Sequence, residues 1–195
     1  GKSSGFVSAN IHSPVSGTVK KIDKYKNAFG FESLSIFIAP DGENREEKRP
    51  RTADEISGLY PEEIISIIDD AGIVGLGGAT FPTKVKLTPP KNTPVDTLVI
   101  NGAECEPYLT NDQQLMVEKP DEIITGVELL MRAINVNNAC IAIEFNKPDA
   151  IESLRKAAGA NNGIEVIPLK VKYPQGGEKQ LIDAVLGRQV PSGGL

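Results

Sequence analysis

Apolar and polar positions change rhythm along this chain, and the change divides it. Residues 17–22 and 34–38 are short runs rich in β-branched and aromatic side chains on either side of Asn27 and Gly30, a pattern that predicts strands joined by turns. From Pro61 the period becomes helical. Pro61 suits a first helical position, Ile64, Ile65, Ile67 and Ile68 supply an apolar face, and Gly72 stops the helix. Residues 97–100 form a short apolar run of the buried-strand type. A helix follows over 120–134, with Ile123, Ile124, Val127, Leu130, Met131 and Ile134 inward, and then a strand over 140–143. The remaining predicted elements are a helix over Pro148–Ala158 ended by Gly159, a strand over Ile164–Leu169, and a helix over Glu178–Leu186 ended by Gly187. Alternating strands and helices imply an α/β layer fold with a largely parallel sheet. No internal repeat is visible.

The segment before Pro61 is different in kind. Residues 13–38 are too few for an independent β domain and read as part of one. Residues 41–51 are a polar run of mixed charge, which predicts a solvated linker. The formal net charge of −5 argues against a nucleic-acid surface, since phosphate binding needs a basic face. Two cysteines, Cys105 and Cys140, are too few for an iron–sulfur cluster and do not make a disulfide framework. A single histidine, His12, excludes a His-rich zinc site and is expected in a hairpin rather than on a metal. Cys140 opens an apolar strand and is expected in the core. No apolar run is long enough to span a membrane, and residues 1–6 carry no apolar signal core, so a reducing, soluble compartment is the default expectation.

Three stretches carry candidate chemistry. The first, residues 72–83, holds Gly72, Gly75, Gly77 and Gly78 followed by Ala79-Thr80-Phe81-Pro82-Thr83. Backbone without Cβ can approach a flat ring or a phosphate closely. A phosphate-binding P-loop would place Gly-Lys-Ser/Thr after a strand, and a dinucleotide fingerprint would also follow a strand; here a helix precedes the glycines. The second stretch, Asn101-Gly102-Ala103-Glu104-Cys105-Glu106-Pro107-Tyr108, lies just past the carboxyl end of a strand, where α/β sheets bind ligands. Its amide and paired carboxylates suit hydroxyls and ring N–H groups better than phosphate. The plain alternative is a solvated strand-exit turn. The third, Tyr173-Pro174-Gln175-Gly176-Gly177-Glu178-Lys179, is a glycine turn feeding a helix whose first amides are free to bind an acceptor. Glu178 could equally cap that helix.

In this order the three stretches resemble the flavin-mononucleotide and NADH-binding (51 kDa) subunit of respiratory complex I. Their wording, Gly-Leu-Gly-Gly-Ala, Ala-Glu-Cys-Glu-Pro-Tyr and Tyr-Pro-Gln-Gly-Gly with a later Gly-Arg-Gln-Val-Pro, is more similar to the RnfC family of the Rnf ion-translocating electron-transport complex. That resemblance implies a three-layer, Rossmann-like FMN- and NADH-binding domain over 53–195, a linker over 41–52, and a partial barrel-sandwich hybrid module over 1–40. Ser13-Pro14-Val15-Ser16-Gly17-Thr18-Val19 is similar to biotinyl and lipoyl carrier domains, but Phe6 stands where those carry the modified lysine, so no carrier role is expected. The family's SLBB and 4Fe-4S domains lie downstream, which implies that Leu195 is a boundary within a longer protein and that the clusters belong to the full-length protein only.

The resemblance also implies residue roles. Gly75, Gly77, Gly78 and Ala79 would lie beside FMN, with Lys86 reaching its phosphate or ribityl part. Asn101 and Glu104 would bind its ring and ribityl groups, and Tyr173, Gly176, Gly177 and Glu178 would close the opposite side. Phe81, Glu106 and Lys179 would face NADH. Hydride would pass from NADH to the flavin without a catalytic side chain or a metal, and electrons would leave through clusters toward other Rnf subunits and, indirectly, ferredoxin. No nucleic acid is implied, and the location implied is the cytoplasmic face of the cell membrane, held there through the complex. Two departures stand out: Leu76 occupies the place of an arginine in complex I, and Lys179 that of a glutamate. A soluble relative, such as the RnfC-like partner of proline reductase, shares these motifs, and a docking module with a vestigial pocket is the alternative without catalysis.

Overall fold

The computed structural model describes residues 1–43, 51–77, 79–90, 92–159 and 163–192. The chain separates into two units, one of Gly1–Leu59 with Asp69–Pro82, the other of Tyr60–Ile68 with Thr83–Leu195.

In the first unit, β1 (Gly17–Lys26) and β2 (Glu32–Pro40) form an antiparallel hairpin with an irregularity in register between Val19 and Lys21. Both strands run longer than the apolar pattern alone indicates, because polar residues continue the alternation at their ends. Asn27 closes the turn by accepting the Phe29 and Phe31 N–H groups on Oδ1, and Gly30 takes φ +82°. Ile22, Tyr25, Phe31 and Leu34 remain exposed, as expected of a sheet of two strands that covers no core of its own. Within the expected linker, residues 44–50 lie outside the described residues. At its end, Thr52 instead caps a short helix, α1 (Ala53–Ser57), in a reciprocal pair with Glu55.

Helix α2 (Pro61–Asp70) carries the isoleucine face and ends before Gly72, whose φ of +68° suits glycine. The second unit is built on a parallel sheet in the order β3-β4-β5, of β3 (Thr97–Asn101), β4 (Asn138–Glu144) and β5 (Ile164–Leu169). Central β4 is buried on both faces, hence its unbroken apolar run. On one face α5 (Pro120–Ala133) and α6 (Pro148–Ala158) cover Ile141 and Ile143 with Ile124, Val127, Met131, Ile151 and Leu154. On the other, Leu181 and Val185 of α7 (Glu178–Leu186) pack on Val99, Ala142 and Ile167. The result is the three-layer α/β arrangement expected. Cys140 is buried, and burial, with Glu165 adding to it, pushes its thiol up. Besides α1, two helices have no counterpart in the sequence pattern: α3 (Thr83–Lys86), a single turn, and α4 (Asn111–Glu118), which buries only Met116 and so lacks an apolar stripe. Among the described residues no helix is long and apolar enough to cross a membrane.

Candidate functional site

The carboxyl ends of the parallel strands gather two of the three stretches. Gly102 continues β3 by donating its N–H to the Ala142 carbonyl, and a Cβ there would come within 3.0 Å of that oxygen. A side chain here would press on the neighbouring strand as the chain leaves the sheet. Asn101 then uses both ends of its amide. Oδ1 accepts the Ala103 N–H at 3.2 Å, and Nδ2 donates to the Gly176 carbonyl at 2.8 Å, tying the strand-exit loop to the glycine turn. The two loops touch closely enough that a Cβ on Gly176 would stand 2.7 Å from the Ala103 oxygen and 3.5 Å from Cys105 Sγ.

Glu104, expected to face ligand, turns inward. Its Oε1 accepts the Asp112 N–H at 3.1 Å, and its Oε2 accepts the Gln113 N–H at 3.4 Å and the Lys147 ammonium at 3.1 Å. The side chains of Lys147 and Glu104 are only 6% and 4% exposed, so this is a buried ion pair. Burial alone would raise the Glu104 carboxyl, but the Asp112 N–H, Lys147 and the Gln113 N–H together hold it below its ordinary value. Since Thr110 gives α4 no side-chain cap, the Glu104 carboxylate takes that place at the helix's positive end. Burial, with Glu104 close by, pushes the Asp112 carboxyl up.

Glu106, Tyr108, Tyr173, Glu178 and Lys179 are exposed, and Cys105 Sγ lies 3.9 Å from Glu106 Oε2. Gly177 caps α7 without a side-chain partner, so the helix opens with its first amides uncapped by any side chain. Lys86 ends α3, exposed. In the first unit, the glycine stretch closes on itself: Val74 bridges Pro82, and the Gly75 N–H meets the Phe81 carbonyl at 2.9 Å. Thr80 adopts φ +49° between Ala79 and a half-buried Phe81. At Gly77 φ is not positive and a Cβ would meet nothing, so the fold of the loop does not itself demand glycine there. Gly78 lies outside the described residues. His12 is not in the hairpin. It precedes β1, and its Nε2 lies 2.9 Å from the Asp70 carbonyl, beside an Asn10 bond to the Asp69 carbonyl at 3.1 Å.

Sequence reasoning passed over Glu144 and Lys147. They stand at the exit of β4 as Asn101 and Glu104 stand at that of β3, and charged residues closing an apolar core strand were the available signal.

The Nuo51 FMN-binding domain family matches residues 68–195, which include all of this sheet and its exit loops. The chain belongs to this family. Residues 1–43 match the RnfC barrel-sandwich hybrid domain. The C subunit of the proton-translocating ferredoxin:NAD(+) oxidoreductase complex of Clostridium ljungdahlii is 46% identical over 194 residues, covering 100% of this chain and 42% of that protein. The C subunit of the Na(+)-translocating complex of Acetobacterium woodii is 45% identical, covering 100% of this chain and 44% of that one. The chain thus spans less than half the length of these relatives. Among solved structures, a NAD+-reducing [NiFe]-hydrogenase in its H2-reduced state superimposes with a TM-score of 0.59 at 26% identity, covering 66% of this chain and 24% of that one. The likeness to RnfC proteins therefore extends over both the FMN-domain family and the front module.

Proposed function

We propose that this chain is the flavin-bearing part of an Rnf-type electron-transfer protein, exchanging electrons between NAD(H) and FMN and passing them to iron–sulfur clusters in the longer protein. One observation carries the reading: two loops at the carboxyl edge of a parallel sheet are held together by the Asn101–Gly176 bond, with bare backbone and outward carboxylates beside it. The donor set fits FMN. Exposed carboxylate and hydroxyl groups match ring N–H and ribityl hydroxyls, and the uncapped amides of α7 match carbonyl or phosphate oxygen. FMN, when bound, supplies acceptance of hydride and release of single electrons.

The protein's own part is orientation. Glu104, engaged with backbone N–H groups and Lys147, frames the loops from inside, while Asn101, exposed and bonded to Ala103 and Gly176, ties them at the surface. Glu178, Tyr173, Gly176 and Gly177 line the turn; Glu106, Phe81 and Lys179 are assigned to the nicotinamide nucleotide. Gly75, Gly77, Gly78 and Ala79 are assigned to the flavin ring, and Lys86 to its phosphate. The chain divides into the front module over 1–40, a linker over 41–52 and the flavin domain over 53–195. Other Rnf subunits are its partners, with ferredoxin served indirectly, and its place is the cytoplasmic face of the membrane, through the complex.

Reconstituting the purified chain with FMN and adding NADH anaerobically tests this. The yellow band near 450 nm, about where flavins absorb, should bleach. A chain that takes up no FMN refutes the reading, and a yellow chain that NADH leaves unbleached reduces it to a flavin-binding or docking role.

A further inference from the structure

We infer that Glu144 and Lys147 are positioning residues that fix the spacing of the 101–108 loop and the 172–177 turn, and so the shape of the flavin site. The inference rests on the flavin reading above. The observations are buried and lie within one unit. Lys147 binds Glu104, which holds the start of α4 and the loop that precedes it. Glu144 closes β4 and is 1% exposed; its carboxyl faces the Lys172 backbone N–H, and the Lys172 carbonyl accepts the Gln175 N–H at 2.8 Å. One residue of the strand end thus grips the third stretch, and its neighbour three residues on grips the second. The Lys147 N–H donates to the Glu144 carbonyl at 3.1 Å, so the two grips are rigidly joined. Above them, Asn101 and Gly176 close the same gap.

Stability does not explain the arrangement. A buried ion pair returns roughly what its desolvation costs, and apolar side chains of the same volume would serve a core at least as well. The sites left short of a donor point the same way. Glu144 Oε1 and Gln175 Oε1 are buried with no partner. Burial pushes the Glu144 carboxyl up, with Lys147 and the Lys172 N–H opposing and Glu104 and Glu106 adding to it, so these charges sense one another. Glu144 is the acceptor that matters here, and Gln in its place keeps an oxygen for Lys172.

Binding of FMN to Glu144→Leu, Glu144→Gln and Lys147→Met tests the inference, with far-UV circular dichroism reporting folding at the assay temperature. Glu144→Leu and Lys147→Met should weaken FMN binding by about tenfold or more, the scale seen when a partner that orients a ligating group is lost. Glu144→Gln should stay within about threefold of wild type, a rescue that simple loss of a buried charge would not produce. Amide exchange in the unmutated chain without FMN gives a reading that needs no variant. The Lys172, Asp112 and Gln113 amides should be protected alike, and a Lys172 amide exchanging at the rate of a free loop overturns the inference. Folded Glu144→Leu with wild-type FMN affinity also overturns it, leaving the flavin reading intact. Wild-type chain that binds no FMN overturns both.

Discussion

Replacing Lys147 by Met leaves the Glu104 carboxylate buried without its counter-ion, in a side chain only 4% exposed. Methionine matches the lysine stem in volume, so no cavity opens and the loss is electrostatic. Removing one partner of a buried pair costs about 3–5 kcal/mol, and because the Asp112 and Gln113 N–H groups remain, we expect the lower end, about 3 kcal/mol, at pH 7. A domain with about 5–15 kcal/mol in hand stays folded. The pH dependence identifies the cause. In the wild type the Glu104 carboxyl is held below its ordinary value, so its contribution is complete above the unfolded-state value and is lost as pH falls through the lower, folded one. Without Lys147, burial dominates and the folded carboxyl rises. The variant therefore recovers stability as pH falls from 7 toward about 4, where ordinary carboxyls take up protons. Urea unfolding followed by circular dichroism at pH 7 and near pH 4.5 should show the gap between the two proteins closing at the lower pH. Glu104→Gln with Lys147→Met should return to within about 1 kcal/mol of the wild type. A gap equally wide at both pH values, or below about 1 kcal/mol at pH 7, would refute the coupling.

Gly176→Ala drives a Cβ to 2.7 Å from the Ala103 carbonyl and should cost about 1–3 kcal/mol by overpacking, read as a lower urea midpoint; an unchanged midpoint would show that the loops are free to part. A Cβ at Gly77 meets no protein atom, so Gly77→Val should leave stability within about 0.5 kcal/mol while abolishing FMN retention; full flavin occupancy would remove the glycine loop from the site. Glu106→Gln, at an exposed carboxylate, should slow reduction by NADH more than it weakens FMN binding, and equal loss of both would contradict its assignment to the nucleotide.

The alternation of strand and helix was legible because the core enforces it. Pro61, Pro120 and Pro148 open helices, Gly159 and Gly187 end them, and the run into Ile143 is apolar because β4 is buried on both faces. The same logic fails where no core sets the pattern. Helix α4 is held at its start by Glu104, a residue from eight positions upstream, so nothing in its own eight residues announces it. Thr52 and Glu55 did carry a capping signature, but at the end of a run of charge that reads as linker.

Location at the strand exits was likewise readable; side-chain direction was not. A Glu-x-Glu pair looks like two equivalent carboxylates, yet Glu104 is buried on Lys147 while Glu106 stands in solvent. What separates them is a lysine 43 residues further on, brought beside Glu104 by the parallel crossover from β3 to β4. A parallel sheet places the exits of neighbouring strands side by side, so a charge ending one strand finds its partner at the end of the next. By that rule the Glu144–Lys147 exit is as informative as the 101–108 motif. It also explains how one motif divides, with Glu104 turned into the sheet to hold the loop and Glu106 left in solvent.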